Sequence, residues 1–117
     1  MKMLIAAAAL ALAVAASPVR AETIKPGDAH KHVGQTVTVE GMVERVHVSA
    51  RSNTTFLDMG GRYPDNAFAA VIFAKDAAIF PDAAALDGRT VAVTGPVTLY
   101  RGKPEIILKT ADQLEPR

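Results

Sequence analysis

Two stretches of this chain share a pattern of alternating valines, and this repeat constrains the fold more than any other feature. Residues 34–43 are GQTVTVEGMV and residues 88–97 are GRTVAVTGPV, so two glycines, a threonine and three valines recur in the same frame. Valine at every second position is the period of a β-strand that buries one face. We therefore predict a β-strand in each copy and a fold rich in β-structure.

The first copy continues as a longer strand that changes phase. Val46 and Val48 resume the alternation one residue out of step with Val43. A phase change together with a glycine inside the strand, here Gly41, indicates a β-bulge or a sharp bend. We predict one long, bent strand over residues 35–48 that serves two sides of a small barrel.

Four further strands are indicated by short apolar runs between turn-forming residues. They are predicted over residues 54–59, 67–73, 90–100 and 105–109. The run AFAAVIF at 67–73 is apolar enough to be buried on both faces, and Phe68, Phe73 and Phe80 are expected in the core. The alanine-rich stretch over residues 74–86 predicts one short helix between the third and fourth strands, with a fresh turn at Pro81.

Five short strands with one helix after the third are the layout of an all-β OB-fold, a five-stranded Greek-key barrel. The chain resembles bacterial OB-fold domains of the nucleic-acid-binding superfamily over nearly all of residues 22–117. The matching segments are HVG at 32–34, TVTVEGMV at 36–43, TFLD at 55–58, YP at 63–64, FAAVIF at 68–73, LDG at 86–88, VAVTGPV at 91–97 and YRGKPEI at 100–106. The resemblance implies an extended ligand, most commonly single-stranded nucleic acid.

The first 21 residues have the composition of a secretory signal peptide. Lys2 precedes an apolar run of about 14 residues, which is short for a membrane span, and Val19-Arg20-Ala21 supplies small residues at the cleavage positions. We predict a signal peptide over 1–21, an OB-fold domain over 22–117 and a periplasmic or secreted location. The chain has no cysteine, so packing alone must stabilise it.

A second resemblance is to exported bacterial OB-fold proteins of the stress-associated periplasmic family, which share the signal peptide, the size and the barrel. The acidic pair that precedes their first strand is replaced here by His30-Lys31-His32. This resemblance implies the alternative function, an interaction module that binds a protein, an oligosaccharide or a small cationic ligand. A third hypothesis is that the apolar run at 67–73 scaffolds a partner.

The candidate ligand-binding residues follow from where OB-folds bind extended ligands. That surface is the face of the second and third strands, flanked by the loops that join strands one to two and four to five. In this chain it offers cations for phosphates and rings for stacking bases. The candidates are Arg51, Asn53, Phe56, Arg62, Tyr63, Tyr100, Arg101 and Lys103. Alternatively, the arginines are simply solvated, Tyr63 packs over Pro64 and Tyr100 covers the end of the barrel.

The overall charge does not support attraction to nucleic acid over long distances. The chain has 13 Lys+Arg and 12 Asp+Glu; without Lys2 and Arg20 it has 11 against 12, a net charge of −1. No global basic field therefore remains to attract a polyanion. Local cations in the loops carry the nucleic-acid hypothesis instead.

Patterns for catalysis and for metal binding are weak. Ser49 and Ser52 have no base at a motif spacing, and Glu40, Glu44 and Asp58 are not fixed as an acid–base pair. The His-x-His formed by His30 and His32 is at most half of a zinc or copper site, because Asp28 is the only carboxylate nearby. We predict a non-enzymatic binding protein with no cofactor and no metal.

Overall fold

The structure, a computed structural model, describes residues 21–117. Within them the chain forms eight β-strands: β1 Glu22–Ile24, β2 Thr36–Val48, β3 Thr55–Met59, β4 Phe68–Ile72, β5 Thr90–Pro96, β6 Thr98–Tyr100, β7 Lys103–Ile107 and β8 Leu114–Pro116. The helical segments among these residues are 3₁₀ helices at Pro26–His32, Ala74–Ile79, Ala83–Leu86 and Ala111–Gln113. None of these helices is long and apolar enough to cross a membrane. The predicted signal peptide lies outside the described residues except for Ala21.

The prediction of an all-β fold is confirmed, and its details change in two places. The strands number eight rather than five, because β1 and β8 add three-residue pieces at the ends and the fourth predicted strand divides after Pro96 into β5 and β6. The single predicted helix is two 3₁₀ helices. They are separated at Pro81, which has no N–H to continue the helical hydrogen bonds.

The strands form one hydrogen-bonded sheet in the order β6-β7-β4-β3-β2-β5-β8, with β1 parallel to β2 off this path. The predicted bulge is confirmed as a shift in the β2–β3 register between Val43 and Arg45. β2 pairs with β5 over residues 36–42 and with β3 over residues 43–48, and the bulge lies at the start of the second stretch. We call β1, the front of β2, β5 and β8 the first half-sheet; the back of β2, β3, β4, β7 and β6 form the second half-sheet.

The two copies of the valine pattern pair with each other in the first half-sheet. β2 and β5 are antiparallel, and Val39 lies opposite Val93, which is its own equivalent in the second copy. At each end, the first glycine of one copy donates its N–H to the carbonyl of the last valine of the other copy, at 2.8 Å in both cases. The copies are therefore related by a local two-fold axis through the Val39–Val93 pair.

The core lies between the two half-sheets. It includes all six valines of the repeat, each at most 1% exposed, together with Leu57, Met59, Phe68, Ile72, Ile106 and Leu108. Every residue of β4 is buried, as the apolar run predicted, so β4 does not present the exposed apolar surface that the scaffolding hypothesis requires. Phe68 and Phe80 are buried as predicted. Phe73 is not, because it follows the end of β4 and is 37% exposed.

Candidate ligand-binding cleft

The outer face of the second half-sheet carries polar side chains in rows that the strand register sets. Asp58 on β3 lies beside Ala69 on β4, and Ala69 lies beside Glu105 on β7. His47 on β2 lies beside Phe56 on β3, two residues along and on the same face. These residues line a cleft of about 700 Å³.

The structure brings together six of the eight residues that the sequence proposed for ligand binding. The cleft is lined by Arg51, Phe56, Tyr63, Tyr100, Arg101 and Lys103. They come from the loop after β2, from β3, from the β3–β4 loop and from the β6–β7 hairpin. Five polar residues that the sequence reasoning did not assign to the site also line it, namely His47, Ser49, Asp58, Asn66 and Glu105.

Asn53 and Arg62 lie outside the cleft. Asn53 has φ 56°, in the left-handed region that asparagine tolerates well, and its N–H donates to the carbonyl of Ser49 at 2.7 Å. Arg62 is exposed in the β3–β4 loop, where its carbonyl accepts a hydrogen bond from the N–H of Asp65 at 2.7 Å. The structure thus places both residues in turns.

Aromatic rings stand on the two sides of the cleft. The rings of His47 and Phe56 are stacked, with centroids 5.1 Å apart and planes 17° from parallel, and Tyr63 lies 6.0 Å from His47 at 54°. Tyr100 stands on β6 at the other edge of the half-sheet. Tyr63 and Tyr100 are 61% and 55% exposed, so both rings offer area to a flat ligand.

Lys103 connects the β6–β7 hairpin to the β3–β4 loop. Its Nζ donates to the carbonyl of Pro64 at 2.8 Å and to Oδ1 of Asn66 at 2.7 Å, and it lies 5.6 Å from the centre of the Tyr63 ring. Asn66 is buried and donates from Nδ2 to the carbonyl of Phe68 and, at 3.4 Å, to Oδ1 of Asp58. The ammonium group therefore holds the wall of the cleft in place as well as supplying charge.

The two arginines at the rim are exposed. Arg101 and Gly102 form a two-residue hairpin turn in which both φ angles are positive, 51° and 79°, as in a type I′ turn. The guanidinium carbon of Arg101 lies 5.2 Å from the centre of the Tyr100 ring. Within residues 21–117, the side chains of Arg51 and Arg101 make no hydrogen bond and no ion pair, so both charges are available to an anion.

The floor of the cleft contains two buried carboxyl groups. Asp58 is 1% exposed and Glu105 is 8% exposed. Burial raises the pKa of Asp58, against the opposing charges of His47, Arg45 and Lys103. Burial likewise raises the pKa of Glu105 to about 7, against the opposing charge of Lys103. Strand alternation placed both residues on the outer face, but only the folded loops around them reveal that they are buried.

His47 and Asp58 are in close contact but do not form a hydrogen bond of good geometry. Nε2 of His47 lies 3.2 Å from Oδ2 of Asp58. Both atoms are buried, and within residues 21–117 neither has a hydrogen-bond partner of good geometry. The sequence signals for this pair were a histidine and an aspartate on adjacent strands, which without the register cannot be recognised as neighbours.

His30 and His32 are engaged locally. Nδ1 of His30 lies 3.0 Å from the carbonyl oxygen of Gly27, and Nδ1 of His32 lies 2.9 Å from Oε1 of Gln35. Among residues 21–117, no group of three His, Cys, Asp or Glu side chains is arranged to hold a metal ion.

Comparison with known proteins bears on the fold. No family model matches this sequence, and no curated protein matches it. The chain is similar to a solved structure from Leishmania major Friedlin, provisionally assigned as an aspartyl-tRNA synthetase, with 14% identity and a TM-score of 0.53. The match covers 93% of this chain and 23% of that chain. At this identity the likeness shows the fold alone.

Proposed function

We propose that this protein is a non-enzymatic OB-fold protein whose cleft binds an extended polyanion, with single-stranded nucleic acid as the leading ligand. One observation carries the proposal: exposed rings and unpaired guanidinium groups lie together on one outer sheet face. Tyr63 and Tyr100 supply the exposed stacking area, and Arg51 and Arg101 supply the free charges. Stacking of bases and neutralisation of phosphates are the two interactions by which such faces hold single strands.

The proposed barrel has five strands when each strand that bends from one half-sheet into the other is counted once. β2 passes from the first half-sheet to the second at its bulge, and the chain makes the same passage between β5 and β6 around Val97. If β5 and β6 are one bent strand, then β2, β3, β4, β5–β6 and β7 are the five strands of a Greek-key barrel. β1 and β8 are additions to its first half-sheet.

Two further considerations support nucleic acid over other extended ligands. The similar Leishmania major chain carries the name of an aspartyl-tRNA synthetase, and tRNA is a nucleic acid. The rim cations lie at separate ends of the cleft, since Arg51 follows β2 and Arg101 follows β6, at opposite edges of the half-sheet. A strand that crosses the cleft would meet one cation on each side and the rings between them.

The predicted signal peptide supports a place in the cell envelope, and we propose a periplasmic or secreted protein. An alternative is an interaction module for a protein, an oligosaccharide or a small cationic ligand. The buried carboxyl groups favour a cation. However, the Lys103 ammonium already lies against the Tyr63 ring, where a small cation would bind. The polyanion therefore remains the leading ligand.

The test is fluorescence anisotropy of labelled single-stranded DNA and RNA at about 50 mM and about 200 mM salt. We expect binding at low salt that weakens as salt rises. The double variant Arg51→Gln, Arg101→Gln should bind more weakly. The slope of log K against log salt should become less negative by about 1.4, because each lost phosphate contact on a single strand removes about 0.7 from its magnitude.

A charge-matched control separates the cleft from general attraction. Lys25→Gln, Arg89→Gln removes two exposed cations that do not line the cleft. It should reduce affinity much less than the cleft variant does. The proposed function is wrong if neither DNA nor RNA binds at low salt, or if the two double variants reduce affinity equally.

A further inference from the structure

The proposed function leaves the acidic floor of the cleft without a role. Asp58, Ala69 and Glu105 lie side by side on three neighbouring strands. At a strand spacing of about 4.8 Å, the two acidic residues have Cα atoms about 10 Å apart. The small side chain of Ala69 lies between them, so the floor has a depression with an acidic group on each side.

Glu105 is the acidic group that a ligand would meet. It lines the cleft, is only 8% exposed, and within residues 21–117 its carboxyl makes no hydrogen bond and no ion pair. A carboxyl that is largely withdrawn from water and has no protein partner costs free energy, and the oxygens of Glu105 keep their remaining solvent contact at the cleft. Asp58 is less accessible, because it lies against His47 and Asn66 and holds those side chains beside the depression.

The surrounding charges define the ligand group that suits Glu105. The group must donate hydrogen bonds, because an ionised carboxylate only accepts them. It need not be a cation, because Lys103 already supplies one beside the cleft and Arg51 and Arg101 require an anion at the rim. An amino group on a neutral aromatic ring donates hydrogen bonds without carrying a charge, and a phosphate backbone joined to that ring supplies the anion for the rim. Cytosine, adenine and guanine carry such a group, and uracil does not.

We propose that Glu105 selects among single-stranded nucleic acids by accepting a hydrogen bond from the exocyclic amino group of a base placed over Ala69. This inference rests on the proposed function and adds a base preference to it. Carboxylates accept hydrogen bonds from the N4 amino group of cytosine in other protein–nucleic acid interfaces. Phosphate contacts at Arg51 and Arg101 contribute the same affinity for every base sequence, so the difference between bases comes from the floor of the cleft.

The test compares oligonucleotides of deoxycytidine and of deoxyuridine, each of about twelve nucleotides. Both are pyrimidines with the same backbone charge, and they differ at the base edge that would face Glu105. At about pH 8, where Glu105 is ionised, the parent protein should bind the cytidine oligonucleotide at least about fivefold more tightly.

Glu105→Gln is the decisive variant. Glutamine has nearly the same shape and can donate to the O4 of uracil as well as accept from the amino group of cytosine. The preference should therefore fall to within about twofold, while the uridine oligonucleotide binds as well as before or better. Glu22→Gln is the control, because it makes the same chemical change at an exposed position outside the cleft and should keep the preference.

Each outcome separates the base preference from the proposed function. If the parent binds both oligonucleotides equally, or if Glu105→Gln keeps the full preference, the selection by Glu105 is wrong and the polyanion cleft stands. If neither oligonucleotide binds at low salt, the proposed function itself is wrong. Thermal unfolding of Glu105→Gln shows whether the variant is folded, and unchanged binding of the uridine oligonucleotide shows that its cleft is intact.

Discussion

The first half-sheet and the cleft face of the second half-sheet differ in what they bury, although both are β-sheet: the first buries apolar side chains and the second buries acidic ones. In the first half-sheet the two valine copies pair about a local two-fold axis, and their valines are buried against the core. On the cleft face, Asp58 and Glu105 are buried although they are acidic, and their pKa values are raised. The first arrangement stabilises the fold, whereas the second weakens it.

This difference separates the part of the sheet that stabilises the fold from the part that forms the proposed binding cleft. An uncharged residue in place of Glu105 would make the fold more stable. The cleft instead has Glu105 together with exposed rings and unpaired cations on the same face. The contrast predicts that substitutions in the first half-sheet destabilise the protein, whereas the loss of an acidic group from the cleft floor stabilises it.

The largest effect is expected at Gly95 in the first half-sheet. A Cβ atom there would lie 2.7 Å from Cγ2 of Ile106, which is fully buried, and 2.9 Å from Nε2 of Gln113, which donates to two carbonyls. Neither neighbour can move freely, so Gly95→Ala should lower the free energy of unfolding by about 3 kcal/mol or more. Chemical denaturation measures this value.

The equivalent glycine of the other copy provides the comparison. A Cβ atom at Gly41 would meet the ring of Pro26 at 2.8 Å, but Pro26 is only half-buried and is the first residue of a short 3₁₀ helix, next to the exposed Lys25. Gly41→Ala should therefore cost about 1 to 2 kcal/mol. Gly27→Ala is the control, because its Cβ would meet nothing within 4 Å. Equal losses at Gly95 and Gly41 would contradict this argument.

Strand alternation carried most of the fold prediction. The phase change between Val43 and Val46 located the bulge, because side chains alternate strictly along a regular strand and one extra residue shifts that alternation by one position. β1 and β8 were missed because three residues are too few to show a period. The helix over 74–86 was predicted as one segment, because alanine content favours helix more visibly than Pro81 divides it.

The rim of the site was accessible from the sequence, and its floor was not. Arg51 and Arg101 stand in loops whose position follows from the strand order, so a fold-level argument placed them. Asp58 and Glu105 have ordinary outward-facing strand positions, and nothing in their sequence neighbourhood shows that the β3–β4 loop and the β6–β7 hairpin enclose that face. Burial by long-range contacts is the information that local patterns lack.

An intermediate effect of opposite sign is expected for Glu105→Gln on the cleft face. The pKa of Glu105 is raised from 4.5 to about 7 in the folded protein. Below about pH 4.5 the carboxyl is neutral in both states and the variant should match the parent. As pH rises from about 4.5 to about 7, the unfolded chain loses this proton and the folded chain keeps it, so the parent loses stability. The whole change in pKa corresponds to about 3.4 kcal/mol, but the open cleft admits water that screens the charge, so above about pH 7 the variant should be more stable by about 2 kcal/mol.

Unfolding curves of parent and variant from about pH 4 to about pH 8 measure this difference. The two proteins share every other ionisable group, so the difference between their two curves reports mainly on Glu105. Glu22→Gln, which is exposed on β1, should show no such divergence. If the stability difference between Glu105→Gln and the parent is the same at about pH 4 and at about pH 8, the proposed contrast between the two regions is wrong.

The smallest effect is expected at Asn53, and it separates a turn residue from a ligand-binding residue. Asn53 has φ 56° and lies in the same loop as Arg51, but only Arg51 lines the cleft. Glycine adopts this backbone conformation without strain, so Asn53→Gly should change the free energy of unfolding by less than about 0.5 kcal/mol. Affinity for single-stranded DNA should stay unchanged, whereas Arg51→Gln should lower it. A loss of affinity in Asn53→Gly as large as that in Arg51→Gln would show that the ligand extends over the loop and beyond the cleft.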